Sequence, residues 1–118
     1  MGFRESLEQV CDVEGAVAAS VMGYDGIAID TLVPGGTELD FETLMVEYAG
    51  ILAQVRQAAD VLQTGELEEL SIATERLTAH LRPINGDYFL VLAMKPEGNL
   101  GKGRYLLRVA APRLRTEF

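Results

Sequence analysis

Two dipeptides that favour tight turns constrain the fold of this chain more than any other feature. Asp25-Gly26 and Asn85-Gly86 each stand between two short apolar segments. Asp-Gly and Asn-Gly readily adopt the positive φ angles of a two-residue hairpin turn, so each dipeptide predicts an antiparallel hairpin. A long segment with helical periodicity lies between them. The sequence therefore predicts two hairpins joined by a helix.

The spacing of apolar residues predicts the other elements. We predict a first helix over 3–12, strands over 15–22, 27–32, 67–75, 77–82 and 88–94, a long helix over 41–63 and a last helix over roughly 100–111. Asp40 is a favourable N-cap for the long helix, whereas Pro112 is expected to end or kink the last one. The order α-β-β-α-β-β-β-α predicts an α/β (α+β) fold: a five-stranded antiparallel sheet with the long helix on one face and the terminal helices on the other.

Chain length and charge restrict the possible partners. The 118 residues suffice for a single domain, 1–118. Residues 1–75 carry a net charge of −13 and residues 76–118 carry +5, so we do not expect nucleic acid as a partner. The longest uninterrupted apolar block, Tyr88–Met94, is too short for membrane insertion. The N-terminal residues do not resemble a signal peptide, and we expect a cytoplasmic protein.

No arrangement of residues in the sequence predicts catalysis, a metal site or a cofactor. The single cysteine, Cys11, is expected to be a small core residue of the first helix. The single histidine, His80, falls on the outward side of a strand, and we expect it at the surface or at the rim of a dimer. Gly101-Lys102 lacks the earlier glycine and the Ser/Thr of a phosphate-binding loop. We expect the chain not to be an enzyme.

The long helix is apolar on two faces. At about 100° per residue, the core-facing arc is predicted to comprise Phe41, Leu44, Met45, Tyr48, Ile51, Leu52, Val55, Ala59 and Leu62. The outer arc comprises Val46, Ala49, Gly50, Ala53, Gln57 and Val61. Small residues on an outer face allow another backbone to approach closely. We interpret this arc as a helix-packing interface; a solvent-exposed, alanine-rich face is the alternative.

The strand after the long helix is expected at an edge of the sheet, where unpaired backbone groups favour pairing with another chain. Its candidate dimer residues are Glu69, Leu70, Ser71, Ile72, Ala73 and Thr74. The helix and the strand together predict a two-fold homodimer.

The order and spacing of five short motifs resemble those of the roadblock/dynein-light-chain family, close to its bacterial MglB-like branch. The motifs are Val13–Val17, the Asp25-Gly26 turn, Tyr48–Val55, Leu70–Thr74 and Gly98–Arg104. The resemblance covers essentially the whole chain. It implies a profilin-like fold that dimerises through the long helix and the third strand.

The resemblance also implies a partner, a small Ras-like GTPase such as MglA. In the MglB-like branch the exposed face of the long helix meets the GTPase and promotes its hydrolysis of GTP. By position, that face is the outer arc with its neighbours. Arg56 would be the candidate for an arginine finger, although the family is thought to act by reshaping its partner. Two other hypotheses remain open: a structural subunit of a motor or scaffold, and a small-molecule sensor domain.

Overall fold

The computed structural model describes residues 2–36 and 39–118 and has the predicted order of elements. The helices are α1 (Phe3–Val10), α2 (Phe41–Leu62) and α3 (Leu100–Arg115), and the strands are β1 (Ala16–Gly23), β2 (Ala28–Leu32), β3 (Leu70–Ala73), β4 (Thr78–Pro83) and β5 (Tyr88–Met94). The strands form one sheet in the order β2-β1-β5-β4-β3, and every neighbouring pair is antiparallel. The predicted α+β fold is confirmed.

Both predicted hairpin turns are present, and each is held by a side chain of its own dipeptide. Gly26 has a φ of +88°, and the Asp25 carboxylate accepts a hydrogen bond from the backbone N–H of Ile27 at 3.0 Å. The Asn85 side-chain oxygen accepts from the backbone N–H groups of Asp87 and Tyr88, both at 2.9 Å. These side-chain hydrogen bonds stabilise the turns at the ends of β1 and β4, at the positions that the sequence predicts.

Each face of the sheet has its own hydrophobic core. On one face α1 and α3 pack over the sheet, with a core that includes Leu7, Val10, Val21, Leu92, Leu107 and Leu114. On the other face α2 packs alone, with a core that includes Met22, Phe41, Met45, Leu52, Leu81 and Phe89. The placement of the helices is confirmed. The central strands β1 and β5 are buried on both faces, which explains their nearly continuous apolar sequences.

The segments that enter β1 and α3 cross at two glycines. A Cβ atom on Gly15 would lie 2.6 Å from the Cα of Gly98, and a Cβ on Gly98 would overlap the backbone oxygen of Glu14. The Glu14 oxygen accepts a hydrogen bond from the Asn99 N–H at 2.9 Å, and the Gly15 oxygen accepts one from the Lys95 N–H at 2.8 Å. Only glycine allows the two backbones to approach this closely.

Two elements differ in length from the prediction by more than two residues. Helix α3 continues through Pro112 to Arg115, because proline removes only one intrahelical hydrogen bond and the buried side chain of Leu114 holds the last turn on the core. Strand β3 has four residues instead of nine. It ends early because the N–H and the hydroxyl of Thr74 both donate to the Leu77 oxygen at 2.8 Å and turn the chain into β4.

Candidate interaction surface

Helix α2 begins at the predicted N-cap. The Asp40 carboxylate accepts hydrogen bonds from the Thr43 hydroxyl at 2.6 Å and from the Thr43 backbone N–H at 3.1 Å. These bonds stabilise the charged form and hold the pKa of Asp40 below its usual value. They also satisfy one of the free N–H groups of the first turn, so the capping residue fixes the first residue of the helix.

Only the first half of α2 is anchored on the sheet. Its buried residues are Phe41, Met45, Ala49 and Leu52, and no later residue of the helix is buried. A helix of 22 residues is ~33 Å long. Its second half therefore extends along the molecule with few contacts to its own core.

Three residues of α2 lie on a different face from the predicted one. Ala49 was assigned to the outer arc but is only 2% exposed, and its methyl group belongs to the core beneath the helix. Ile51 and Leu62 were assigned to the core arc but are 41% and 70% exposed. The contact line of the helix is set by Met45, Ala49 and Leu52 at spacings of four and three, which turns Ile51 away from the sheet.

The other residues of the predicted outer arc are exposed. We define the α2 outer face as Val46, Gly50, Ala53, Gln57 and Val61, each of which is exposed. Val46 is 47% and Val61 is 73% exposed. A Cβ added at Gly50 would have no atom within 4 Å. Packing within this chain therefore does not explain why a glycine stands in the middle of the helix.

The hairpin between β1 and β2 extends this surface. Ile27 is 68% exposed and lies outside β2, not in the predicted strand. The neighbouring Gly26 lies beside Val46, because a Cβ on that glycine would be 3.6 Å from Cγ2 of Val46. Ile27 was not predicted to be a surface residue, although its position directly after the Asp-Gly turn indicates exposure.

Most of the large exposed apolar residues of α2 fall on two flanks, and Val61 lies between them, roughly 60° around the helix from Val46. Val46 lies on the flank that faces the β1–β2 hairpin. Ile51 and Leu62 lie roughly 140–160° around the helix from Val46, as follows from 100° per residue. The helix therefore presents two apolar stripes, one beside the hairpin and the other on the opposite flank.

Arg56 is fixed against the body of the protein. One Nη atom donates to the Gly86 backbone oxygen at 3.3 Å, and its guanidinium carbon lies 4.4 Å from the centre of the Tyr24 ring. This cation–π contact holds the side chain over the start of the hairpin. A hydrogen bond and a stacked ring oppose any extension of Arg56 towards a partner.

Strand β3 occupies an edge of the sheet, as predicted. It pairs with β4 in an unbroken register from Leu70–Leu81 to Ala73–Thr78, and its other edge carries no strand of the described chain. Leu70 and Ile72 pack against the core under α2, whereas Ser71 and Ala73 are exposed.

The residues predicted for this edge at its two ends, Glu69 and Thr74, lie outside β3. Glu69 binds Arg104 of α3 through two hydrogen bonds of 3.0 and 2.6 Å. The free part of the edge is thus a short segment without charged residues or proline, which leaves its backbone open to pairing.

His80 is buried, and its predicted surface position is wrong. It is 2% exposed, and its Nδ1 is hydrogen-bonded to the Ser71 hydroxyl at 2.8 Å. Its Nε2 has no hydrogen-bond partner in the described part of the chain. The alternation along β4 was assigned correctly, but this face of the strand is covered by α3. Burial, helped by the nearby charge of Arg104, lowers the pKa of His80.

No reactive or metal-binding group emerges from residues 2–36 and 39–118. Burial raises the pKa of the Cys11 thiol to about 11, so the thiol is protonated at neutral pH, and Cys11 packs against the α1–α3 core as expected. This part of the chain contains no cluster of His, Cys, Asp or Glu that could hold a metal ion. Within the same residues, no helix has both the length and the apolarity needed to cross a bilayer.

We compared the chain with known families, curated proteins and solved structures. No model of a known protein family matches the sequence, and no curated protein shows significant similarity. Among solved structures, MglC from Myxococcus xanthus is 50% identical, with complete coverage of both chains and a TM-score of 0.73.

Two other solved structures share the fold at low identity. The gliding protein MglB from Thermus thermophilus is 22% identical over 96% of this chain and 85% of its own, with a TM-score of 0.84. A Roadblock/LC7 domain from Streptomyces avermitilis is 11% identical over 99% and 98%, with a TM-score of 0.83. Identity with MglC is more than twice that with MglB and extends from end to end, and on this ground the chain belongs to the roadblock/LC7 family as a relative of MglC.

Proposed function

We propose that this protein is a homodimeric docking module that binds a small Ras-like GTPase of the MglA type in a gliding machinery and is not itself an enzyme. The observation that carries the proposal is the construction of α2. Its first half is anchored on the sheet, and its second half carries apolar side chains that contact little of their own chain. Exposed apolar surface of this kind is characteristic of protein–protein interaction sites.

Gly50 and the β3 edge support the homodimer. Glycine inside a helix costs about 1 kcal/mol relative to alanine, and at Gly50 nothing in the same chain requires the missing side chain. A second helix that packs closely against the first would require it. The free edge of β3 would pair with its two-fold copy and continue the sheet into the second protomer. We assign this dimer contact to Gly50 and Val61 together with the Ile51 and Leu62 stripe, since these residues lie within roughly 120° of one another around the helix.

The hairpin side of α2 is then available for the second partner. Ile27 and Val46 form an apolar patch on the flank of the helix that faces away from the assigned dimer stripe. MglB, which shares the fold, is described as a gliding protein. A Ras-like GTPase that docks on this patch would leave the dimer intact, so the two contacts need not compete for the same side chains.

The position of Arg56 indicates that the module docks its partner without supplying a catalytic arginine. The guanidinium is held by the Gly86 oxygen and the Tyr24 ring, and an arginine finger must instead reach the transferred phosphate. Any effect on GTP hydrolysis would then come from reshaping the GTPase.

The solution mass tests the dimer. We expect a dimer by light scattering after size exclusion at micromolar concentration, and we expect Gly50→Arg to disrupt the dimer and leave the fold intact, since a Cβ at Gly50 meets no atom of its own chain. Gly101→Arg is the matched control, since Gly101 is an exposed helical residue with open space around its Cα on the other side of the sheet. A dimer that survives Gly50→Arg unchanged would remove this side of α2 from the dimer interface.

Binding to the GTP-loaded Ras-like GTPase of the same organism tests the second contact. We expect Ile27→Asp and Val46→Asp to abolish binding while the solution mass stays that of a dimer. Ile51→Asp should do the reverse and produce monomers. If every variant loses both GTPase binding and dimerisation, the helix has a single binding face. If the wild-type protein does not bind the GTPase, the proposed partner is wrong.

A structural subunit without any effect on a GTPase is the second candidate. The fixed position of Arg56 favours it, since a structural subunit needs no catalytic arginine. In that case the Ile27–Val46 patch would bind another protein of the assembly. GTP hydrolysis measured with and without the dimer separates the two candidates, because a scaffold leaves the rate unchanged.

A further inference from the structure

Helix α3 has an unusual charge for this protein. The chain has a net charge of −8, yet α3 contains Lys102, Arg104, Arg108, Arg113 and Arg115 and no acidic residue. All five side chains are exposed. The basic character of the C-terminal third of the sequence is thus concentrated on the outside of one helix, on the side of the sheet away from α2.

Three of these arginines form a row. Arg104, Arg108 and Arg115 are separated by four and seven residues, which places them within roughly 40° of one another around the helix. Arg104 binds Glu69 at the start of β3, and the Nε of Arg115 donates to the Ile84 backbone oxygen at 2.8 Å, beyond the end of β4. The row therefore runs along the flank of α3 that faces β4 and β3.

Arg82 adds a fourth guanidinium to this row. It lies on β4 on the same face as His80, the face that α3 covers, and its charge acts on Glu69. Arg82 and Arg115 also line one end of a surface groove of about 1310 Å³, which is shared with the second half of α2 and with the acidic residues Asp60, Glu66 and Glu68. We define the basic stripe as Arg82, Arg104, Arg108 and Arg115.

The basic stripe is incompletely neutralised. Arg104 pairs with Glu69, but in the described part of the chain no carboxylate forms an ion pair with Arg82, Arg108 or Arg115. Arg108 instead lies 5.5 Å from the centre of the exposed Tyr105 ring, and Arg115 binds a backbone carbonyl. Guanidinium groups with unused donors are suited to carboxylates, which they bind in a bidentate fork.

The surroundings of the stripe limit the shape of its ligand. Helix α1 packs beside α3 on the same side of the sheet, where Arg113 contacts Gln9, and α1 exposes Glu5 and Glu8. A flat anionic membrane or a DNA duplex that covered α3 would also cover these carboxylates and be repelled. A narrow polyanion that follows α3 avoids Glu5 and Glu8, and it must also stay clear of Asp60, Glu66 and Glu68 in the groove beside Arg82 and Arg115.

We propose that the basic stripe binds an extended, carboxylate-rich segment of a partner protein. The 16 residues of α3 span ~24 Å, which accommodates about seven residues of extended chain. Carboxylates of the segment pair with the free guanidinium groups, and Tyr105 packs against its aliphatic stems. The stripe uses none of the side chains that we assign to the dimer or to the GTPase site, although Arg82 and Arg115 share a groove with α2.

A labelled heptaglutamate peptide tests the stripe in the full chain. We expect fluorescence anisotropy to show binding that weakens when the salt concentration rises from about 50 mM to about 300 mM, because screening shortens the reach of exposed charges. The variant Arg82→Glu with Arg108→Glu should bind at least about tenfold more weakly. Lys102→Glu with Arg113→Glu makes the same charge change on the opposite flank of α3 and should bind like the wild-type protein.

Several results would overturn the proposal. The first is that the wild-type chain does not bind the peptide. The second is that both double variants lose the same amount of peptide affinity. The third is that the chain binds a short DNA duplex or phosphatidylglycerol vesicles more tightly than the peptide. Thermal unfolding and solution mass confirm that each variant is folded and assembled. Should the Glu variant fail to fold, Arg82→Gln with Arg108→Gln removes the charges without adding carboxylates, and the same tenfold criterion applies. Since the α2 contacts are untouched, a negative result here leaves the proposed dimer and GTPase sites standing.

Discussion

The two faces of the sheet are covered in different ways. On the α1–α3 face, two helices and the crossing glycines close a core that contains the buried side chains of Leu7, Leu107 and Leu114. On the α2 face one helix is anchored only as far as Leu52, and Ile51 and Leu62 are exposed. One face is complete within the monomer, whereas the other leaves large apolar side chains exposed. The dimer and GTPase contacts that we propose therefore lie on the less completely covered side of the five strands.

The largest effect is expected from truncation of the closed core. Leu107→Ala should lower the free energy of unfolding by about 2–5 kcal/mol, because Leu107 is 1% exposed and its removal leaves a cavity. Leu62→Ala, at 70% exposure, should leave the unfolding of the monomer nearly unchanged and weaken only the dimer. Urea denaturation at several protein concentrations measures both. Equal losses for the two variants at every concentration would contradict the division between the faces.

Glycine substitutions should differ in sign between the faces. Gly98→Ala places a methyl group against the backbone of Glu14 and should cost about 1–3 kcal/mol. Gly50→Ala meets no atom of this chain and should stabilise the isolated monomer by about 0.5–1 kcal/mol through helix propensity, while weakening the dimer. Thermal unfolding below and above the dissociation constant of the dimer separates the two effects. A Gly50→Ala variant that forms a tighter dimer would contradict our explanation that Gly50 allows close packing of a second helix.

His80 should make the α3 side of the sheet sensitive to acid. Burial lowers its pKa in the folded protein below the ordinary value of 6.5, so the unfolded chain binds the proton more readily. The neutral histidine therefore contributes its full stability above about pH 6.5, and this contribution is lost as the pH falls towards the folded pKa. Urea midpoints at about pH 7.5 and about pH 5.5 should differ less in His80→Gln than in the wild type. An equal difference in both would show that other groups carry the acid sensitivity.

The smallest effect is expected from the ion pair that joins α3 to the start of β3. Arg104 and Glu69 are partly exposed, at 53% and 28% of their side-chain surface, and solvent screens such pairs. Replacing both residues in a double-mutant cycle should give a coupling of about 0.2–1 kcal/mol. The coupling should decrease in high salt. A value that is large and independent of salt would mean that the pair is a structural part of the edge of the sheet.

The sequence was sufficient for the order of elements because their boundaries are chemically marked. The Asp25-Gly26 and Asn85-Gly86 turns and the Asp40 cap each act within a few residues, so local patterns predict them. The burial of α2 residues was harder to predict. When a helix is apolar on two sides, the hydrophobic pattern does not determine which line of residues meets the sheet, and Ala49, Ile51 and Leu62 were misassigned for this reason.

The position of His80 depended on tertiary structure. The alternation in β4 correctly separated it from Leu81, but a strand pattern does not show which face another helix will cover. The same limit applies to α3, which continues past Pro112 because Leu114 is buried against elements distant in sequence. The exposure of Ile27 was also missed, since its apolar character suggested a strand. Local chemistry predicted the elements, and only the assembled fold determined which surfaces remained free.

The crossing of Gly15 and Gly98 also has a consequence for the order in which the chain folds during its synthesis. The central strand β1 pairs with β2, which follows it closely, and with β5, which is made only near the end of the chain. Closing so long a loop carries an entropic cost, and such non-local pairings slow folding. Until β5 has been synthesised, the β1–β2 hairpin and α2 expose apolar surface to solvent. The segment from β5 through Gly98 into α3 follows all the other elements of the domain and closes it.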